Sequence, residues 1–367
     1  MTFFSQTVQS ERVKRTLLRT ILRDVSRSFY LSLVVLPKAV RQQVGLAYLF
    51  CRAADTIADT DILARHERLR VLESFRCQFR LSDSCKDLTY LQNVPLPQRV
   101  TEGERKLLMH LPDCFRVLAH FSLTDRQLIT DLVLTLTRGM EMDLRAFPGE
   151  TAATARALPN MHALDLYTYY VAGVVGEFWT KIHVAHLPNM RHLDCLSLCR
   201  LGVSFGKGLQ LTNILKDLGK DLHNGRCYLP EKCLEQVQIK VETLQDTASL
   251  PRLRPLLRTL MTYTLAHLDR ACEYVMHLPY LAVRSRLSCM WPLLFAVQTL
   301  AMVWQSDQLL NPHLPVKISR RTVYLSMFNS LGCLVFPGLL AVYYRHLRSH
   351  LVALLEQTKG PSGYAVS

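Results

Sequence analysis

Two pairs of aspartates stand four residues apart on stretches that otherwise read as apolar helix. Asp55 and Asp59 close the run Arg52-Ala53-Ala54-Asp55-Thr56-Ile57-Ala58-Asp59, and Asp217 and Asp221 follow much later. On a helix, positions i and i+4 share a face. Tyr48 and Arg52 extend the first stripe backward, and Gln210 and Asn213 extend the second. Gly202 and Gly206 continue that second face, which would leave room for something bulky to lie against it. Like charges at this spacing destabilise a bare helix, so the two pairs call for a cationic partner. Magnesium, a hard ion, takes carboxylate oxygens together with phosphate oxygens and water. Two facing aspartate pairs would hold such ions around a diphosphate. One pair alone would read as a solvated patch; two, each sharing its stripe with Arg or Asn/Gln, argue against that.

The elements that must carry these stripes are helices. Hydrophobic residues make up 49% of the 367-residue chain, enough for a sizeable core, and the 15 Gly cluster instead of punctuating short strands. Apolar residues recur with helical period from about Val13 to Leu310, broken at points such as Pro37, Pro148-Gly149, Pro188-Asn189 and Asn224-Gly225. No run alternates long enough to argue for a sheet, so an all-α fold is expected. The formal charge of +14 suits anionic partners: polyphosphates, an anionic membrane surface or nucleic acid. Nucleic acid is the weakest of these, because the chain lacks zinc spacing, an RNP-like aromatic motif and a concentrated basic run. The 11 Cys show no CxxC spacing and read as reduced packing residues. The first residues lack the apolar core of a signal peptide, so a cytosol-facing protein is expected.

Two apolar stretches raise the question of a membrane. Residues 289–304 are uncharged but too short to span, and read as a buried core helix. Residues 322–344 are uncharged and long enough to cross, yet contain Ser326, Asn329, Ser330 and Pro337 and are flanked by Arg320-Arg321 and Arg345. A span, a dip into one leaflet and a soluble core element all remain open; a membrane-associating segment followed by a basic and polar tail, 345–367, is the expectation.

Taken in order, these residues resemble the squalene and phytoene synthases, which join two prenyl diphosphates head to head. The resemblance runs from about Val25 to Arg321 through five landmarks. Ser26-Arg27-Ser28-Phe29 is similar to the family's N-terminal phosphate element. Tyr48 through Asp59 and Gln210 through Asp221, the latter followed by Arg226 and Pro230, resemble its two aspartate motifs. Tyr167-Thr168-Tyr169-Tyr170-Val171-Ala172-Gly173-Val174-Val175-Gly176 resembles its central helix, and Val316-Lys317-Ile318 with Arg320-Arg321 resembles the stretch near the nicotinamide in squalene synthases. The squalene-forming branch is the nearer match. Three positions depart from it: Ala58 replaces an acid that Asp61 could partly supply, Lys216 replaces Arg, and Ser288 replaces a Phe of the animal enzymes.

The resemblance implies an isoprenoid-synthase-type helical bundle over residues 1–321, a single domain around a central apolar cavity. It implies magnesium, with manganese as a substitute, held by Asp55, Asp59, Asn213, Asp217 and Asp221. It implies diphosphate contacts from Arg27, Ser28, Arg52, Gln210, Asn213, Lys216 and Arg226, and a proton-transfer role for Tyr167, which without it would read as a core aromatic. Walls for the cavity would come from residues 171–175 and 293–300. Farnesyl diphosphate would be condensed to presqualene diphosphate and then reduced with NADPH to squalene, Lys317, Arg320 and Arg321 contacting the cofactor phosphates or anionic lipid. Alternatives are a chain that stops at presqualene diphosphate, one that makes hydroxysqualene, dehydrosqualene or phytoene, and a non-enzymatic membrane assembly factor.

Overall fold

Leu46, Leu49, Phe50, Ala53 and Ile57 recur at spacings of three and four and are all fully buried, and such a stripe can be buried only if the segment is helical. The computed structural model describes residues 11–26, 30–60, 62–80, 88–93, 100–335 and 337–357. The expected all-α class holds. Among the described residues the strands are Arg156–Leu158 and Arg226–Pro230, paired in parallel with Arg156 opposite Arg226. They are too short to register as an alternating run in the sequence.

The chain divides into two compact units, Met1–Leu144 with Phe178–Arg191 and Arg145–Glu177 with His192–Ser367. In the first, the Lys38–Ala58 helix packs against Arg65–Gln78, Glu102–Met109 and Leu111–Ala119. Phe50 lies 4.9 Å from the rings of both Phe79 and Phe115, which are themselves 4.9 Å apart. Burying a Phe contributes about 2–3 kcal/mol, with up to ~1 kcal/mol more for each well-placed aromatic pair. This cluster anchors the helix whose C-terminal end carries Asp55 and Asp59.

In the second unit, Cys195–Lys216 packs lengthwise against Leu250–His277 and also meets Val283–Gln305. Leu253, Leu257, Leu260, Met261, Leu268 and Val275 are at most 2% exposed on the second of these helices. Leu293, Leu294, Val297 and Leu300 bury the third, which is the core helix expected at 289–304. The apolar run 322–344 falls on two helices, Arg320–Val335 and Pro337–Gln357. Both pack on Val283–Gln305. Tyr344 and Arg348 bond Asp269 at 2.8 and 2.7 Å, tying the last helix to Leu250–His277.

Candidate active site

The first aspartate motif ends its helix. Asp59 is the C-cap, and its N–H donates to the Asp55 carbonyl at 2.9 Å. Arg52 donates one guanidinium nitrogen to Asp55 and another to the buried Glu104. Glu104 is itself held by a capping box: the Thr101 N–H donates to its carboxylate at 2.8 Å, and the Thr101 hydroxyl accepts from its N–H at 3.4 Å. Burial opposes the Arg52 charge, but Asp55 and Glu104 outweigh it and strengthen its hold on the proton. Burial likewise opposes the Glu104 charge, yet Thr101 and Arg52 hold its carboxyl below the usual range. Tyr48 donates to the Val25 carbonyl at 3.4 Å. The stripe is therefore real, and Glu104, which sequence reasoning missed, aims its arginine. Thr101-x-x-Glu104 signals a helix start, but nothing in it shows the second bond to Arg52.

Two carboxylates at a helix C-terminus face the negative end of the helix dipole, an unfavourable placement that a bound cation relieves. The second motif repeats the arrangement. Asp217 caps Cys195–Lys216 and opens the short helix Leu218–His223, so the continuous stripe expected there is interrupted at Asp217. Bonds from Asp217 N–H to the Asn213 carbonyl and from Asp221 N–H to the Asp217 carbonyl, both 2.9 Å, carry the helical ladder through the break. Lys216 pairs with Asp217 at 3.0 Å, as Arg52 does with Asp55. Asn213 is exposed, and Gln210, Asp217 and Asp221 are half-buried.

Gly202 and Gly206 do not leave room for a ligand. A Cβ on Gly206 would lie 2.1 Å from the Ala172 carbonyl oxygen, and one on Gly176 would lie 1.8 Å from that of Gly202. The small residues serve a close backbone approach between Cys195–Lys216 and the central segment. There Tyr169–Gly173 winds as a π-helix between Met161–Thr168 and Val174–His186, a device frequent at functional sites.

Tyr167 precedes that π segment and is 7% exposed. Its hydroxyl donates to the Tyr228 hydroxyl at 3.2 Å, and Phe147 closes edge-on against Tyr228 at 5.1 Å. Tyr228 lies two residues beyond Arg226, so the short strand brings both to the second unit's site. Gly225 makes the turn between Asn224 and Arg226 at φ 78°, where a Cβ would meet the Gly149 oxygen at 2.7 Å.

A second cluster went unread in the sequence. Lys207, one turn before Gln210, donates to Asp165 at 2.6 Å, and the Tyr263 hydroxyl donates to the same oxygen at 3.0 Å. Burial alone would raise the Asp165 carboxyl; Lys207 and Tyr263 bring it below its usual range. Burial and the Lys207 charge push the adjoining His267 down to about 4. The signal available was a lysine on an apolar helix face. Glu177 accepts from the Tyr169 hydroxyl at 3.4 Å.

Arg27, Ser28 and Asp61 lie outside the described residues. Lys317, Arg320 and Arg321 are exposed, and no carboxylate among the described residues pairs with them. Their segment passes the second aspartate motif: a Cβ on Gly219 would meet Leu310 at 2.7 Å, and the His223 and His313 rings lie 5.9 Å apart.

Residues 22–322 match the family model of squalene/phytoene synthase. A presqualene diphosphate synthase from Zymomonas mobilis is 29% identical over 256 residues, 69% of this chain and 72% of that protein. A squalene synthase from Eremothecium gossypii is 27% identical over 338 residues, 89% of this chain and 70% of that protein. Among solved structures, a ligand complex of TcSQS superposes with a TM-score of 0.71 at 21% identity, over 94% of this chain and 98% of that one. Squalene synthase HpnC from Alicyclobacillus acidocaldarius reaches 0.55 at 18% identity, over 79% and 95%. At these identities the two structures speak to the fold.

Proposed function

This chain belongs to the squalene/phytoene synthase family, and we propose that it condenses two farnesyl diphosphates to presqualene diphosphate and reduces that product with NADPH to squalene. The observation that carries the reading is a family match spanning both aspartate motifs with all four acids present, each motif pairing one acid with a cation.

Among the described residues no three His, Cys, Asp or Glu side chains cluster as a metal cage. Paired carboxylates suit magnesium, which completes its shell with substrate phosphate and water. In the first unit Asp55 and Asp59, and in the second Asp217, Asp221 and Asn213, are the residues that would hold magnesium. When bound, the ion supplies Lewis-acid stabilisation of a departing diphosphate. Arg52, Lys216 and Arg226, with Arg27, Ser28 and Gln210, bind and orient the phosphates and offset negative charge as it develops there. Lys216 does so as a point charge, without the fork that Arg provides. Tyr167, bonded to the Tyr228 hydroxyl, would relay the proton lost on cyclopropane closure, and the departed diphosphate, a far stronger base than a neutral phenol, would finally take it up. Lys317, Arg320 and Arg321 would take the phosphates of NADPH, which supplies hydride.

A second reading ends the reaction at presqualene diphosphate. It is favoured by the Zymomonas mobilis relative and by Ser288, whose hydroxyl is spent on the Ser285 carbonyl at 2.8 Å where a Phe resemblance was lacking. Incubation with farnesyl diphosphate and magnesium, with and without NADPH, separates the two. Squalene formed only with NADPH supports reduction, and presqualene diphosphate in both arms supports the second reading. Hydroxysqualene, dehydrosqualene or phytoene would redirect the assignment, and no condensation at all would overturn it.

We further propose that the protein associates with membrane lipid, its active site facing the cytoplasm. Tyr324, Leu325, Phe328 and Leu331 are more than half exposed on Arg320–Val335. Ser326 and Ser330 on the same helix turn inward and bond Gln298 and Trp291. An apolar outer face beside Arg320, Arg321 and Arg345 suits an interfacial helix. Vesicle flotation tests it: Leu325→Ser with Phe328→Ser should release the protein, and unchanged flotation refutes this face as the anchor.

A further inference from the structure

A groove of about 720 Å³ opens in the first unit between the N-terminal helical turns and the start of Lys38–Ala58. Arg12, Lys14, Arg15, Arg19, Lys38 and Arg41 line it. The single carboxylate in the described lining, Glu11, is already paired with Lys14 at 3.1 Å. No carboxylate among the described residues pairs with Arg12, Arg15, Arg19 or Lys38, and residues 1–10 contain no Asp or Glu. Arg41 is steadied by donating to the Leu36 carbonyl at 2.6 Å.

Arg12, Arg15 and Arg19 are spaced by three and four, a row about 10 Å long on one helical face. Lys38 and Arg41 face the groove from the first turn of a 21-residue helix, whose free N–H groups add to the positive field. Six cations around one cavity repel one another, and multivalent anions relieve this best. Arginine forks in a row match successive phosphate groups. Leu18 is the one apolar residue in the described lining, and no ring there offers a surface for a nucleobase to stack on. The volume suits a small ligand. Fourteen residues of one helix, about 21 Å, separate Arg41 from Asp55.

We propose that this groove binds a chain of phosphates, diphosphate or longer, at a site separate from the aspartate motifs. A free oligophosphate and a phospholipid headgroup share that chemistry, and the experiment separates them. The full-length chain is titrated with inorganic diphosphate by calorimetry in EDTA, so that magnesium-dependent binding at the aspartates contributes nothing. It is also floated with phosphatidylcholine vesicles with and without phosphatidic acid. Arg15→Gln/Arg19→Gln changes two exposed side chains and should weaken diphosphate binding about tenfold or more. Arg12→Gln/Lys38→Gln should do the same, and Arg65→Gln/Arg70→Gln, an equal charge loss elsewhere in the unit, should not. Groove-dependent flotation on phosphatidic acid without diphosphate binding assigns the headgroup as ligand. If the groove and control variants behave alike in both arms, the site is refuted. Because magnesium is withheld, this outcome is independent of whether the condensation reading holds.

Discussion

Tyr167 donates its hydroxyl to that of Tyr228 at 3.2 Å while the two rings stack with centroids 4.8 Å apart. A phenol bonded to a second phenol can pass a proton along the pair, each oxygen giving up its own as it receives another, provided the chain ends on a stronger base such as the departed diphosphate. Tyr228→Phe should therefore slow condensation about 10- to 100-fold, and Tyr167→Phe should slow it further, with farnesyl diphosphate still bound. Product formation at saturating substrate is the check. Full activity in Tyr228→Phe would return the pair to simple core packing.

Asp55→Asn and Asp217→Asn should each abolish turnover while circular dichroism stays helical. Each substitution takes charge away from a crowded helix end, which does not unfold it, but it also weakens the charge stabilisation of the leaving group. Either variant keeping more than about a tenth of wild-type condensation would sink the metal reading.

Glu104→Gln should raise the KM for farnesyl diphosphate more than it lowers kcat. Arg52 would keep Asp55 but lose the buried anchor that sets its direction. The substitution also leaves a partly buried guanidinium less well paired, at a cost of about 1–3 kcal/mol. Urea midpoints read the stability loss, and steady-state kinetics read the split. An unchanged KM would show that Arg52 is aimed by its own helix.

Gly206→Ala should destabilise the protein by about 2–4 kcal/mol, because backbone, not a flexible side chain, occupies the space a methyl group needs. Gly338→Ala, where a Cβ would meet nothing within 4 Å, should be neutral or stabilising by up to about 1 kcal/mol. Paired melting curves compare them. Equal effects would mean that the close approach at Ala172 yields readily.

Acid should weaken the first unit through His183. Complete burial pushes this imidazole down to about 4, although its Nδ1 meets the Trp179 carbonyl at 2.8 Å. An unfolded histidine takes up its proton near pH 6.5, so between there and about 4 the unfolded chain binds more protons than the folded one. Stability must fall as pH drops through that window, by on the order of 2–3 kcal/mol. His267 adds a change of the same sign in the second unit. Urea midpoints at pH 7 and 5 should differ less in His183→Phe than in the wild type; identical pH slopes would exclude His183.

The helical period made both aspartate stripes legible in the sequence, because which residues share a helical face depends only on local geometry. Arg52 beside Asp55 and Lys216 beside Asp217 follow from that period and from nothing more distant. The family resemblance singled out Tyr167 and Arg226 for the same reason, through motifs contained within short runs. What spacing could not supply was the partner from another element. Glu104 reaches Arg52 across 52 residues of sequence, Tyr228 reaches Tyr167 across 61, and Tyr263 meets Asp165 across 98. Gly202 and Gly206 show the same limit: a missing side chain reads in sequence as open space, and only packing decides whether a ligand or a backbone fills it. The run 322–344 looked like one apolar segment, yet it belongs to two helices, Arg320–Val335 and Pro337–Gln357, that both pack on Val283–Gln305, with Ser326 and Ser330 bonded inward. Composition shows how apolar a segment is, whereas which of its faces meets protein is set by the neighbours that satisfy its polar groups, and those are chosen by the tertiary structure.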